Sequence, residues 1–533
     1  MQKKLLLGVE AIAQGAIDGG LSGVYAYPGT PSTEITEYIE SNPIAIERKL
    51  HRVWSANEKT AMEAALGMSY AGKRAMVCMK HVGMNVCADA FVNSSITGIN
   101  GGLVVVAADD PSMHSSQNEQ DSRYYGDFSM ITILEPSTQQ EAYNMAYQAF
   151  EISEKTGLPV LMRITTRLAH SRSTVETKEL KSQNEIKFPQ DERQFVLLPA
   201  IAKRRYANLL NMQPVLEKNS EESQFNTLED AKNHEFGIVA CGIAYNYLKE
   251  SFIGEVPYPV LHIRQYPLPI NQIEKLAQEC KKIMVIEEGY PFVEKKLRGI
   301  SQTIEIKGKL DGTLPRQGEL NPDVINQAFG IQSKQKYQTP ELVVGRPPAL
   351  CQGCSHADMY EVLNQVMTEF GKGRVFGDIG CYTLGALPPF LSINSTVDMG
   401  ASITMAKGAT DSGVEHAVAI IGDSTFIHSG MTGLLDCVIE KTPVTVIISD
   451  NSTTAMTGGQ KSHGESRLEK ICLGLGVERE HLRVMTPLKN RHEEMYSILK
   501  EEIEYQGVSV ILSQRECIRT AARKAAKKRA NVQ

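Results

Sequence analysis

The sequence predicts an α/β protein of open, mostly parallel sheets, on three observations. Short apolar runs recur along the chain, separated by stretches of helical composition. The strongest runs are apolar throughout rather than alternating, as strands covered on both faces must be. Several end in a Gly-Asp or acidic turn, and ligands of open α/β sheets bind beyond the carboxyl ends of strands.

Taken in order, Val24–Tyr27 reads as a strand and Ala56–Tyr70 (ANEKTAMEAALGMSY), rich in Ala, Glu and Met, as a helix. Arg74–Lys80 (RAMVCMK) reads as the next strand. Gly101–Ala108 follows as a buried strand closed by Asp109-Asp110-Pro111. A second α/β set begins at Phe236–Gly242 and continues through Val260–Ile263 and Lys282–Glu288. A third begins near Pro348, with strands at Ala417–Ile421 and Val444–Ile448. The polar stretch from about 178 to 233 and the Gly-, Pro- and Gln-containing stretch from about 300 to 348 read as linkers. Three domains are therefore expected, at 1–190, 191–340 and 341–533. The last 21 residues, Ser513–Gln533, carry seven Lys/Arg and one Glu and read as a solvated terminal helix.

Composition excludes several classes. A net charge of −6 over 533 residues argues against a nucleic-acid partner. Ten cysteines are too dilute for a disulfide framework and point to a reducing compartment. Met1-Gln2-Lys3-Lys4-Leu5-Leu6-Leu7 has a basic start, but Glu10 and Asp18 break its apolar stretch, so no secretory leader is expected. No run approaches the ~20 apolar residues of a membrane span. A cytoplasmic protein is the expectation.

The most specific feature is Gly422-Asp423-Ser424, followed 28 residues after Asp423 by Asn451, each directly after a strand. Asp423 supplies a hard anionic oxygen and Asn451 an amide oxygen, the ligands Mg²⁺ accepts when it must also hold phosphate oxygens. Backbone N–H groups of glycine turns at helix starts would hold the phosphates themselves. Either motif alone is ordinary loop chemistry. Together, after neighbouring strands, they favour a metal–diphosphate site.

This pair resembles the thiamine diphosphate motif, and further words narrow the resemblance. Leu350-Cys351-Gln352-Gly353-Cys354-Ser355-His356, Gly377-Asp378-Ile379-Gly380-Cys381-Tyr382-Thr383-Leu384-Gly385 and Met399-Gly400-Ala401-Ser402 are similar to the indolepyruvate ferredoxin oxidoreductase alpha subunits. So are Asp450-Asn451-Ser452-Thr453-Thr454-Ala455-Met456-Thr457-Gly458, Tyr27-Pro28-Gly29-Thr30-Pro31-Ser32, Ala56-Asn57-Glu58-Lys59 and the segment Asp109–Asp121. The likeness runs along the whole chain.

The resemblance implies a transketolase- or pyruvate ferredoxin oxidoreductase-like architecture. A pyrimidine-binding domain comes first, a transketolase C-terminal-like domain lies between, and a diphosphate-binding domain comes last. Thiamine diphosphate and Mg²⁺ are the implied cofactors. Gly353, His356, Gly380, Cys381, Gly400, Gly422, Asp423, Ser424, Asn451 and Thr457 are the implied cofactor contacts, with Asp423, Asn451 and Thr453 on the metal. Glu58 is the implied catalytic acid: a carboxylic acid in an apolar setting makes the cofactor's aminopyrimidine basic enough to deprotonate its own C2. A Glu opening a helix also satisfies the dipole, and Glu63 is the weaker candidate on the same helix. Thr30 is the first candidate contact to a 2-oxo acid substrate, with Lys80 (beside His81) and His114 behind it, although the loop at Thr30 reads equally as a tight turn.

The implied reaction converts a 2-oxo acid, CoA and an oxidised acceptor to acyl-CoA, CO₂ and the reduced acceptor. The runner-up is a non-oxidative thiamine diphosphate decarboxylase or carboligase. Family alpha subunits typically carry a ferredoxin-like module with two four-cysteine sets, whereas only Cys472 and Cys517 follow Cys437 here. Cys351-x-x-Cys354 has no second Cys-x-x-Cys pair. No iron–sulfur cluster is therefore expected in this chain. Electrons are expected to pass to an iron–sulfur acceptor on a partner, with a small beta/gamma-type subunit and an oligomeric assembly.

Overall fold

Leu103–Asp109, the purest apolar run of the first third, forms a strand buried at every residue, at the centre of a seven-stranded sheet. The order across that sheet is Gln265–Tyr266, Thr132–Leu134, Val160–Thr165, Leu103–Asp109, Ala75–Lys80, Gly23–Ala26 and His51–Trp54. All pairings are parallel except that of the edge strand Gln265–Tyr266. Helix Gly8–Asp18 packs on helix Gln139–Thr156, whose ends carry the expected signals. The Thr138 hydroxyl accepts from the Glu141 N–H (3.2 Å), and Gly157 closes the helix in the left-handed conformation at φ 67°.

This computed structural model describes residues 2–252, 254–300, 304–332, 340–345 and 347–530. The chain divides into two units, Met1–Gln338 and Thr339–Gln533. The first unit holds the seven-stranded sheet and a second, five-stranded one ordered Glu305–Lys307, Lys282–Ile286, Phe236–Cys241, Val260–Ile263 and Thr227–Glu229. Val260–Ile263 lies in this second sheet, yet Gln265–Tyr266, two residues on, pairs with Thr132–Leu134 of the first. The middle segment is thus stitched to the first sheet by its own backbone.

The stretch from 178 to 233 is more than a linker. It contains the 23-residue helix Pro199–Glu221, buried only at Leu209, Leu216 and Ser220. Its apolar line is so thin that polar composition masks it. The second linker carries the strand Glu305–Lys307 and the helix Pro322–Ala328; its residues 301–303, 333–339 and 346 lie outside the described residues.

An ionic network fills the first unit's interior. Arg123 and Arg163 are both fully buried. Arg163 pairs with Asp109 (2.6 Å) and Glu135, and Arg123 with Asp121 (2.5 Å) and Glu287 (2.9 Å). The Tyr266 hydroxyl donates to Glu135 (2.6 Å). Arg123 also donates to the carbonyls of Glu288 (3.0 Å) and Tyr290 (3.1 Å). Buried pairs add little net stability, whereas deleting one partner strands a charge at about 3–5 kcal/mol. Its effect is positional: it holds the segment at Asp121 against the turn after Lys282–Ile286.

The second unit is built on a six-stranded, wholly parallel sheet, Ser395–Thr396, Val375–Gly377, Ala417–Gly422, Val444–Asp450, Ser509–Gln514 and Leu482–Met485, with a small antiparallel pair at Thr453–Thr454 and Gln460–Lys461. Helix Ser355–Phe370 packs on His492–Glu504, and Ala401–Asp411 on Met431–Glu440. The basic terminal stretch forms the helix Ile518–Ala530, with no residue buried; residues 531–533 lie outside the described residues. No described helix is long and apolar enough to cross a membrane.

Candidate functional site

Strands Ala417–Gly422 and Val444–Asp450 run side by side with Gly422 opposite Ser449. Asp423 and Asn451 consequently leave the sheet at the same edge. Asp423 is 2% exposed, and its Oδ2 has no hydrogen-bond partner among the described residues. Burial pushes its carboxyl up to about 7, opposed by the Ser462 hydroxyl and reinforced by the Asp450 charge. A buried carboxylate oxygen with no donor is costly unless a cation meets it. The Asn451 amide oxygen accepts from the Thr453 N–H (3.1 Å), and the Thr453 hydroxyl donates to the Gln460 carbonyl (3.0 Å). The Thr454 hydroxyl donates to that of Ser424 (3.0 Å), tying the two turns together. Thr457 sits at the tip of the same loop, donating to the Gln460 side chain (2.6 Å). Asp423, Ser424, Asn451 and Thr453 thus share one edge.

A residue to which the sequence assigned no role organises the adjoining turns. Asp378 follows strand Val375–Gly377 and is fully buried. Its Oδ2 accepts from the N–H groups of Gly400 (3.0 Å) and Ser402 (3.3 Å) and from the Ser402 hydroxyl (2.7 Å). Its Oδ1 accepts from the Tyr382 hydroxyl, and burial raises the carboxyl to about 6. This pins the start of helix Ala401–Asp411, where Gly400 has φ 96° and a Cβ would stand 2.7 Å from that of Ser429. Gly380 donates to the Thr383 hydroxyl (2.9 Å). An acid immediately after a strand, inside a glycine turn, was the available signal.

The same unit carries a cavity of about 320 Å³ lined by Cys351, Cys354, His356, Cys381, Asn451 and Cys517. Four cysteines that no local spacing unites line this one cavity. Cys381 and Cys517 come from the turns after the parallel strands Val375–Gly377 and Ser509–Gln514, and Cys351 and Cys354 from the segment opening helix Ser355–Phe370. Local spacing is blind to such a set because the sheet edge, not the motif, assembles it. The expectation of a chain without a cluster rested on that local spacing. Burial pushes the Cys381 thiol up to about 12, with Cys354, Cys517 and Cys351 each adding to the rise. Arg519 Nε donates to Cys351 Sγ (3.3 Å), and Cys354 Sγ lies 3.1 Å from His356 Nδ1. Burial holds the His356 imidazole neutral, down to about 4, and its Nε2 has no partner among the described residues. Gly353, at φ 74°, turns the chain between the two cysteines.

Four thiols suit either zinc or an iron–sulfur cluster. Zinc bonds of ~2.3 Å would bring the sulfurs to within about 4 Å of one another. Among the described residues, the sets of three or more such ligand atoms within 4.8 Å of one another lie elsewhere, at Asp230/His234/Glu279 and Asp358/Glu361/His492. A cluster, whose irons stand between the thiolates, does not require the sulfurs to lie that close.

In the first unit, Glu58 opens helix Glu58–Tyr70, capped by the Asn57 side chain accepting from the Thr60 N–H (2.9 Å). Its carboxylate is buried over Gly83 of helix His81–Thr97, where a Cβ would stand 2.7 Å from Glu58 Oε1. Glu63, by contrast, is exposed and paired with Lys59. The loop holding Thr30 lies against Lys80, with a Gly29 Cβ only 3.0 Å from that of Lys80. Lys80 is 9% exposed and donates to the Ser115 carbonyl (2.7 Å). Burial lowers it to about 8, with Asp110 opposing. His81 is buried, its Nε2 3.2 Å from the Asn118 carbonyl. His114 is not brought into this group: its ring is exposed and stands 3.5 Å from Glu319.

Residues 14–236 match the family described as "Pyruvate flavodoxin/ferredoxin oxidoreductase, thiamine diP-bdg". Residues 378–512 match "Thiamine pyrophosphate enzyme, C-terminal TPP binding domain". The indolepyruvate oxidoreductase subunit IorA of Archaeoglobus fulgidus is 38% identical, over 97% of this chain and 86% of its own length. Its namesake in Methanothermobacter thermautotrophicus is 36% identical, over 97% and 87%. A solved 2-oxoglutarate:ferredoxin oxidoreductase from Magnetococcus marinus, with 2-oxoglutarate, coenzyme A and succinyl-CoA bound, shares the fold. Its TM-score is 0.52 at 16% identity, covering 62% of this chain and 65% of that one.

Proposed function

This chain belongs to the family of indolepyruvate oxidoreductase subunit IorA, and from that premise we propose the oxidative decarboxylation of an indolepyruvate- or arylpyruvate-like 2-oxo acid. One 2-oxo acid and one CoA thiol give acyl-CoA, CO₂ and a proton. Two electrons leave to one-electron acceptors. The observation that carries the reading is the buried, unpartnered Asp423 oxygen beside Asn451, inside the thiamine pyrophosphate-type domain.

Asp423, Asn451 and Thr453 would hold Mg²⁺, and the glycine turns at Gly380, Gly400 and Gly422, with Ser424, would present donors to the diphosphate. Asp378 keeps the Gly400 turn in place. Glu58 would hold a proton toward the pyrimidine ring. Thr30 and Lys80 would orient the substrate carboxylate, the ammonium as a point charge. Bound thiamine diphosphate supplies the nucleophilic carbon and electron sink for decarboxylation. The four cysteines would hold an iron–sulfur cluster, a one-electron store within the chain. Onward transfer would use a partner subunit in an oligomeric assembly.

Anaerobic turnover of indolepyruvate with CoA and methyl viologen tests the reading. Acyl-CoA formed with dye reduction supports it; free aldehyde without dye reduction makes the protein a non-oxidative decarboxylase. Glu58→Gln should leave thiamine diphosphate affinity within about threefold while lowering kcat by about 10²–10⁴, the usual weight of a general acid–base group. Full activity in that variant would remove Glu58 from its role.

Lys80 gives a pH signature. Its ammonium is charged below about 8 and neutral above it. KM for the 2-oxo acid should therefore rise as pH passes upward through about 8, while Lys80→Met should show a high KM that is flat across that range. A wild-type KM unchanged from about one pH unit below 8 to about one unit above it would exclude the ammonium from substrate binding.

A further inference from the structure

We propose that the helix Ile518–Ala530 is a docking surface for an acidic one-electron carrier protein, seated over the cysteine cavity. This rests on the cluster reading above. The helix carries Arg519, Arg523, Lys524, Lys527, Lys528 and Arg529 and no acidic residue, on a chain whose net charge is −6. Arg519–Arg523, Arg523–Lys527 and Lys524–Lys528 stand four apart, so like charges repel along its length. Among the described residues only Lys524 finds an acid, Glu516 at 2.5 Å, and Lys527, Lys528 and Arg529 make no ion pair. No residue of the helix is buried. A solvated helix gains nothing from this arrangement, whereas an anionic partner would relieve it.

The helix is also fixed in place at one end. It follows Cys517 directly, and Arg519, Thr520 and Arg523 line the cavity with the four cysteines. Arg519 donates to Cys351 Sγ, and Arg523 donates to the Gly458 carbonyl. The cationic surface therefore begins where an electron held by those cysteines would leave. That juxtaposition favours a redox protein over a membrane or nucleic acid, neither of which needs the cysteines. Thirteen residues at ~1.5 Å each make a strip of about 20 Å, the scale of a small, transient electron-transfer contact. Steering by such a strip acts mainly on association rate and weakens with salt.

The test uses the full-length holoenzyme, an acidic 2[4Fe–4S] ferredoxin, and the triple variant K527E/K528E/R529E, with K527Q/K528Q/R529Q as a milder second. Three results are expected. KM for the ferredoxin rises at least about tenfold in the reversal variant and less in the neutral one. kcat with methyl viologen, a small dication, stays within about twofold. The affinity of the oxidised ferredoxin, measured by calorimetry without turnover, falls in parallel and loses its salt dependence. Unchanged ferredoxin affinity overturns the proposal. So does unchanged ferredoxin affinity alongside charge-dependent binding to phosphatidylserine vesicles or to duplex DNA. If the wild type binds no iron or reduces no methyl viologen, the functional reading fails instead, and the calorimetric comparison still decides the docking surface.

Discussion

Replacing Asp423 with Asn should lower affinity for Mg²⁺–thiamine diphosphate by about 100-fold or more, and should at the same time raise the melting temperature of the cofactor-free protein. The two effects have one cause. Asp423 is 2% exposed, and one of its carboxylate oxygens meets no donor. Burial of that charge is a standing cost in the free protein, which is why the carboxyl titrates near 7. A neutral amide of the same shape removes the buried charge from the free protein and the anionic ligand from the metal together. Changes merely outside a metal's ligands already cost about 10–100-fold in affinity, so loss of a charged ligand sits at or beyond that range. The gain in the free protein should be a few degrees, since about 1 kcal/mol moves Tm by ~2–4 °C for a unit this size. Calorimetric titration and thermal melts read the two halves separately. If the variant lost affinity and melted lower, Asp423 would be a structural residue whose loss distorts the turn.

The second large effect concerns Cys517. Anaerobic reconstitution of the wild type with iron and sulfide should yield about four irons per chain, and Cys517→Ser should hold well under half of that. Cys472→Ala is the control, because Cys472 is buried away from the cavity and takes no part in the set. A wild-type protein that takes up one zinc and no iron would replace the cluster with a single-ion site. Equal iron loss in both variants would mean that any buried cysteine change disrupts the unit. Methyl viologen reduction should fall with the iron in Cys517→Ser, while binding of thiamine diphosphate, which depends on Asp423 and Asn451, should persist.

Much of the architecture is legible in the chain because parallel strands announce themselves. Ala75–Lys80, Leu103–Asp109, Ala417–Gly422 and Val444–Asp450 are short apolar runs covered on both faces, most of them rich in β-branched residues, which separates them from buried helices. The placement of Asp423 and Asn451 at one edge follows from two such runs becoming neighbours, which short-range pattern can suggest but not fix. Three features were out of reach for separate reasons. Helix Pro199–Glu221 buries too few apolar residues to outweigh its polar composition. The cysteine set is assembled from the ends of two strands and the start of one helix, so no spacing within the sequence encodes it. His114 turns outward beside Glu319, a neighbour far along the chain. The buried ionic network belongs with these: Asp109, Asp121, Arg123, Glu135 and Arg163 each look like surface residues until the fold seals them in.

The strand Gln265–Tyr266 makes the first unit indivisible. It closes the open side of Thr132–Leu134 with residues that lie beyond the first strands of the second sheet. Any fragment that stops earlier, including one cut at the expected boundary near 190, leaves that strand with a bare row of backbone donors and acceptors. Such an edge recruits strands from other molecules. It would also strand Arg123 and Glu135 in the interior without Glu287 and Tyr266. Dissecting this half of the chain into its two sheets would therefore yield aggregating pieces rather than domains, and the smallest expressible unit extends well past Tyr266.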